Sequence, residues 1–245
     1  GDTKHDHGEM FGVLNGMLDS LVKRRRLSSR WPIAFERVTA TYLGDAPTEF
    51  SYQGQTYTPE SFARSLNFDA EDYVNLTSFE HQPFGKSFVL EIPDNFSSGL
   101  FHNVPIDDLV ATIDFAIANG FSVAWDGDVS ERGFSRSAGL AVLPVEDRQD
   151  FLKYPGEEQS VDQQMRQKTY EEHSTTDDHL MHLTGIARDQ CGNKYYVIKN
   201  SWGEVGDRDG FVYMSEPYLR LKTMAILLHK DAVQQRQETL ATPGT

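Results

Sequence analysis

Cysteine is nearly absent from this chain. The single residue, Cys191, excludes an internal disulfide and with it the cross-linked scaffolds of small secreted domains. Long apolar runs are missing too: none approaches the ~20 residues a membrane-spanning helix needs, so no membrane partner is expected. Positive charge is scarce. Lys and Arg total 23 against 37 Asp and Glu, a net charge of -14, and that field repels phosphate backbones and anionic head groups. Nucleic acid is therefore not an expected partner. The one basic run, Lys23 to Arg26, reads as the solvated end of a helix, where cations complement the helix dipole. Residues Gly1 to His5 contain no signal-peptide core. Because the chain opens on Gly rather than Met, it is expected to be part of a longer polypeptide, so an upstream export signal stays open.

What is present suffices for a core: 245 residues, 38% apolar and 11% aromatic, fold as one large or two small domains. Met10, Leu14, Met17, Leu18 and Leu21 recur at three- and four-residue spacing, which predicts a helix from about Gly8 to Arg25. A second helix follows Pro32, with Phe35, Val38 and Tyr42 on one side and Gly44 as its stop, and the two are expected to pack as a hairpin. Phe50 to Tyr57 alternates about Gly54 as a β-hairpin does, and Thr58-Pro59-Glu60 caps a helix running to about Leu66. Between Val74 and Asn103, Pro and Gly break the pattern, and only Ser87 to Ile92 reads as a strand. Pro105 to Gly120 predicts an amphipathic helix, Phe121 to Trp125 a strand, and the polar stretch to Glu172 a helix around Met165 and Tyr170. The Gln- and Thr-rich tail, 234–245, reads as disordered.

The chemistry-bearing residues gather late in the chain. In Asp178-His179-Leu180-Met181-His182-Leu183-Thr184-Gly185, strand alternation puts His179, Met181 and Leu183 on one face and Leu180, His182 and Thr184 on the other. Both histidines therefore cannot serve one site. The next strand, Lys194 to Lys199, ends in Asn200-Ser201-Trp202-Gly203. A hairpin through Asp189 to Asn193 would lay the strands side by side, letting the Asn200 amide hold the His179 imidazole in one orientation and tautomer, with Trp202 screening the bond. A buried Asn at a strand end and a core Trp account for the same residues without chemistry. Cys191 lies in the turn at the far end of that hairpin, away from any helix N-terminus, and reads as an exposed, inert thiol. His5, His7 and Glu9 are explained by a polar helix start as well as by a ligand set, so no metal and no cofactor is assigned. Gly133-Phe134-Ser135-Arg136-Ser137 lacks the second Gly of a serine-hydrolase elbow. Asp126 and Asp128 end a strand, as cleft-lining acids or as turn formers.

Taken in order, Gly120 to Trp125, Asp178-His179 with Thr184-Gly185, Tyr195 to Lys199, Asn200-Ser201-Trp202-Gly203 and Gly210 to Met214 resemble the C-terminal half of papain-like cysteine peptidases. Within them the chain is most similar to the bleomycin hydrolase and aminopeptidase C branch. The segments Phe50 to Phe62, Phe68 to Val74, Asn103 to Leu109 and Asp126 to Val129 carry that similarity. The resemblance implies a Cys-His-Asn triad in which His179 is the base, Asn200 its orienter and Trp202 its shield. It also implies a peptide substrate, aminopeptidase activity, a cytoplasmic location and hexameric assembly. The family's nucleophile, a Cys at a helix N-terminus preceded by an oxyanion-hole Gln, has no counterpart here.

The expected fold is therefore α+β: a papain-like C-terminal domain of β-barrel type with an accessory helical region, its N-terminal nucleophile domain missing. Expected boundaries are 1–100 for the helical accessory region with its hairpin, 101–233 for the His/Asn β domain and 234–245 for the tail. The chain alone is expected to be inactive without the missing N-terminal segment. The alternative is a non-catalytic, peptidase-like binding module that has lost its nucleophile.

Overall fold

Local sequence signals set the first elements in the computed structural model, which describes residues 5–24, 26–146, 150–153 and 156–241. Asp6 accepts the Glu9 N–H and opens α1 (His7–Val22), which stops before the basic run rather than within it. Pro32 starts α2 (Trp31–Leu43), and Gly44 at φ 78° ends it. Tyr42 Oη donates to Glu9 Oε1 at 2.9 Å and links the two helices. The hairpin β1 (Phe50–Tyr52) and β2 (Gln55–Tyr57) turns through Gln53 and Gly54, both at positive φ, as a tight hairpin requires. In α3 (Pro59–Ser65), Thr58 and Ser61 form a reciprocal capping box, and the Phe62 ring sits edge-on to Phe50, Tyr52 and Tyr57, each at 5.3 Å.

These elements make one compact unit, Gly1–Asp69; the rest, Ala70–Thr245, makes another. The boundary expected from the sequence is residue 100. The division falls earlier because the loop-rich region contributes strands to the second unit's sheet: β3 (Tyr73–Thr77), β4 (Ser87–Val89) and β5 (Leu100–Asn103). Only β4 carried a strand signal. The polar Asn75 and Thr77 mask β3, which is held by long-range pairing rather than by alternation, Thr77 Oγ1 donating to Met224 O at 2.7 Å.

Next come α4 (Ile106–Ala118), β6 (Val123–Gly127), β7 (Phe134–Ser135), β8 (Leu140–Ala141), α5 (Gln163–Glu171), β9 (His179–Arg188) and β10 (Lys194–Lys199). They are followed by β11 (Phe211–Ser215), α6 (Glu216–Lys222), β12 (Thr223–His229) and α7 (Lys230–Ala241). The sheet order is β4-β5-β3-β12-β6-β9-β10-β11-β8-β7. The fold is α+β as expected, but among the described residues no ladder joins β7 to β4, so the expected barrel is instead an open, mixed sheet. An order of ten strands ending on two very short ones leaves the sheet free to curl without closing. The expected disordered tail also differs: 230–241 is helical, packed through Ala232 and Val233, while residues 242–245 lie outside the described residues. Its polar composition hid the short apolar anchor.

Alternation sorts the core onto the two faces. Leu76, Trp125, Met181, Leu183 and Ile226 face α4 in the larger cluster, whereas Phe79, Leu90, Ile92, Phe101, Met224 and Ala225 form a second. Burying Trp125 fully is possible because its indole N–H reaches Thr223 Oγ1 at 2.8 Å. No helix among the described residues is long and apolar enough to cross a membrane.

Candidate active site

The β9-β10 hairpin brings the sequence-separated His179 and Asn200 together. Lys194 pairs with Arg188 beside the turn, and Lys199 pairs with His182 at the other end, so Asn200 emerges next to His179. A β-bulge at Val197/Ile198 adjusts the register on the way. His179 Nε2 lies 2.9 Å from Asn200 Oδ1. The same oxygen accepts the Ser201 N–H at 2.7 Å, which requires that this amide atom be oxygen; His179 must then donate from Nε2, leaving Nδ1 as the basic nitrogen. Asn200 is only 5% exposed, and its N–H donates to Gly210 O at 3.0 Å. The amide is thus held by its backbone and through Oδ1, while its Nδ2 is enclosed without a hydrogen-bond partner.

Trp202 stacks on the imidazole with centroids 4.6 Å apart and planes 28° apart. The indole packs one face on the imidazole and is 40% exposed. Two neighbours found here carried no sequence signal for this site. Phe134 meets Trp202 edge-on at 6.4 Å, and the Arg136 guanidinium lies 5.2 Å from the indole centroid. They come from the segment considered only as a serine elbow, and tertiary folding alone sets them beside Trp202.

His182 is on the opposite face and exposed, as the strand parity required. Asp126 is opposite too. It pairs with Leu180, whereas Gly127 pairs with His179, so Asp126 does not line a cleft on the His179 side. Gly127 leaves room for close approach: a Cβ there would stand 2.3 Å from Lys222 O and 2.4 Å from the Trp125 ring. Cys191 is exposed in the hairpin turn, its N–H bound to Asp189 Oδ1 at 2.8 Å. With β9 ten residues long, that thiol stands about 30 Å from His179. His5, His7 and Glu9 gather no ligand set; the His5 and His7 rings pack at 5.7 Å and Glu9 binds Tyr42.

The segment entering β9 is anchored from below. Lys222 and Asp128, 2% and 1% exposed by side chain, form an ion pair at 3.3 Å; Lys222 also binds Glu131 and donates to Ser174 O at 2.8 Å. Asp128 accepts from the Ser130 and Thr176 N–H groups, and Asp178 accepts from the Val129 N–H at 2.9 Å. Burial opposes ionisation of Asp128, but the Ser130 bonds, Lys222 and Thr176 outweigh it and hold its pKa below the usual carboxylate value. Burial pushes the Asp178 pKa up, with the Asp128 charge adding to it against the Val129 bond. The residues immediately before His179 are thus tied to the end of β6 by charge and hydrogen bonds.

Known proteins are similar to this chain in sequence. The chain is 26% identical over 218 residues to aminopeptidase G of Lactobacillus delbrueckii subsp. lactis, covering 83% of this chain and 48% of that protein. Aminopeptidase E of Lactobacillus helveticus is 24% identical over 220 residues (84% and 49%), and aminopeptidase C of Lactococcus lactis subsp. cremoris 27% over 192 residues (74% and 41%). The chain therefore spans about half the length of the curated relatives it matches. The crystal structure of PepW from Lactobacillus rhamnosis HN001 superposes with a TM-score of 0.66 at 19% identity, over 94% of this chain and 59% of that one, which is a likeness of fold. The sequence profile of the Peptidase C1-like family matches residues 37–243, and on that match, over most of its length, the chain belongs to this family.

Proposed function

We infer that this chain supplies the base-and-orienter half of a papain-like cysteine aminopeptidase, the nucleophilic Cys and its oxyanion-hole partner being supplied by polypeptide outside these 245 residues. The observation that carries the reading is the 2.9 Å His179 Nε2–Asn200 Oδ1 bond under Trp202, which leaves Nδ1 free. In the complete protein Nδ1 takes the thiol proton, and the thiolate attacks the peptide carbonyl. Nδ1 then hands that proton to the leaving amine as the C–N bond breaks, leaving an acyl-enzyme that water hydrolyses. Asn200 keeps the ring aligned through both transfers, and Trp202 keeps water from competing for its bond. The related aminopeptidases support peptides with a free amino end as substrates, and the family resemblance supports a cytoplasmic, ring-forming assembly.

A second reading rests on the distance of Cys191: a chain with no thiol near its imidazole also suits a non-catalytic, peptidase-like binding module. The two separate in one assay. The longer parent protein, given an aminoacyl fluorogenic substrate, is expected to turn it over, to lose activity to a thiol alkylator, and to lose at least ~10²-fold in kcat on His179→Ala. The isolated chain is expected to show no turnover. A well-folded parent protein without alkylator-sensitive hydrolysis would sink the peptidase reading and leave the binding module.

A further inference from the structure

On the face of the sheet opposite His179, three acids from three distant segments converge. Asp94 comes from the turn after β4, Asp126 from β6 and Asp177 from the segment entering β9. One carboxylate oxygen of each lies within 4.8 Å of the other two. Asp126 is 7% exposed, and its Oδ1 is enclosed without any hydrogen-bond donor. Asp177 Oδ1 is enclosed without a donor as well, while its Oδ2 accepts the Asp94 N–H at 2.8 Å. Burial, then a side-chain hydrogen bond with the Asp177 carboxyl and the charges of Asp177, Asp94 and Asp178, push the Asp126 pKa up to about 8.

Enclosed carboxylate oxygens with neither donor nor cation are costly, and mutual repulsion adds to that cost. A proton shared between Asp126 and Asp177 would neutralise one charge of three, and water meets the exposed Asp94, but the second enclosed charge would still lack a cation. Three oxygens within 4.8 Å of one another can all reach one ion at about 2.4 Å, the Ca²⁺–oxygen distance. All three donors are hard oxygens, without the nitrogen or sulfur that zinc and copper favour. Asp94 is exposed, so water can complete the coordination shell on that side. We propose that Asp94, Asp126 and Asp177 form a calcium site that pins the segment leading into His179 to the turn after β4. The ion would act on His179 through Asp177, two residues upstream, and not by contact with substrate.

The test is titration of the metal-stripped full chain with CaCl2, read by binding heat and by the unfolding midpoint, against KCl of equal ionic strength. Saturable one-site binding is expected with Kd at or below about 1 mM, and the midpoint should rise about 5 °C at a hundredfold excess over Kd. MgCl2, which demands a smaller octahedral shell, should bind more weakly. Asp126→Asn and Asp94→Asn should each weaken calcium binding at least ~10-fold. Asp94 is exposed, so its variant reports even if the Asp126 variant folds poorly. Glu49→Gln, which also removes one exposed acid, should leave binding unchanged. No saturable heat or midpoint shift up to about 10 mM Ca²⁺, or equal shifts in the wild type and both Asp variants, would overturn the proposal.

Discussion

The Ser201 N–H decides which nitrogen of His179 carries a proton, because it fixes Asn200 Oδ1 as the atom facing the ring. Asn200→Ala should release that constraint. Nitrogen NMR of the isolated chain is expected to show the Nε2–H tautomer dominant in the wild type and a mixture in the variant, whether or not a nucleophile is present. Lys222 is the second residue on which the site depends. Lys222→Met would leave Asp128 buried without its cation, and urea unfolding should show a loss of about 3–5 kcal/mol. Because the folded pKa of Asp128 is depressed, its contribution is complete above the unfolded value near ~3.9 and is lost as pH falls through the lower folded value. The stability gap between wild type and Asp128→Asn, measured from neutral pH downward, should therefore stay flat and then close in strong acid. A gap that widened on acidification would contradict this account. At this scale the sequence pointed to His179, Asn200 and Trp202 as neighbours, which the geometry brings together, but Lys222, Arg136 and Asp177 gave no local sign, since their partners lie far away in the chain.

At the scale of elements, the loop from Asn200 to Gly210 closes on itself and so holds Trp202 in place. Gly210 sits at φ 83°, its N–H donates to Val205 O, and a Cβ there would stand 2.2 Å from Gly203 O. Gly210→Ala should strain the backbone and meet that carbonyl, costing about 1–3 kcal/mol and loosening the indole stack. Tryptophan fluorescence should report greater solvent exposure. Helices were legible because capping residues and apolar spacing act within a few positions: Thr58 and Pro59 mark the start of α3, and Gly44 ends α2. The short strands β3 and β5 were not, because their partners are set by tertiary pairing, β3 lying between β12 and β5. A strand held on both sides can carry Asn and Thr inside and lose the alternation that sequence reading relies on.

The whole molecule divides its stability unequally. Met10, itself 8% exposed, is the only buried apolar residue in the unit Gly1–Asp69 among the described residues, while the other unit holds every large buried cluster. Hydrogen exchange should therefore show low protection in the first unit and near-global protection in β6, β9, β10 and β12. Limited proteolysis should clip before residue 70 first. Uniform protection across both units would show that the first is stabilised by more than its own packing. The net charge of -14 should also make unfolding salt-dependent, with added KCl raising the midpoint by screening self-repulsion.

By itself the sequence determined the approximate positions of α1 to α5, the face of the strand that His179 shares with Met181 and Leu183, and the separation of Cys191 from that face. All of these follow from periodicity and chain connectivity, which act over a few residues. Only the tertiary structure decided that the sheet stays open, that the tail folds as a helix, and that Asp126 turns away from His179 toward Asp94 and Asp177. Those outcomes depend on register between strands distant in sequence, where a shift of one residue moves every side chain to the other face.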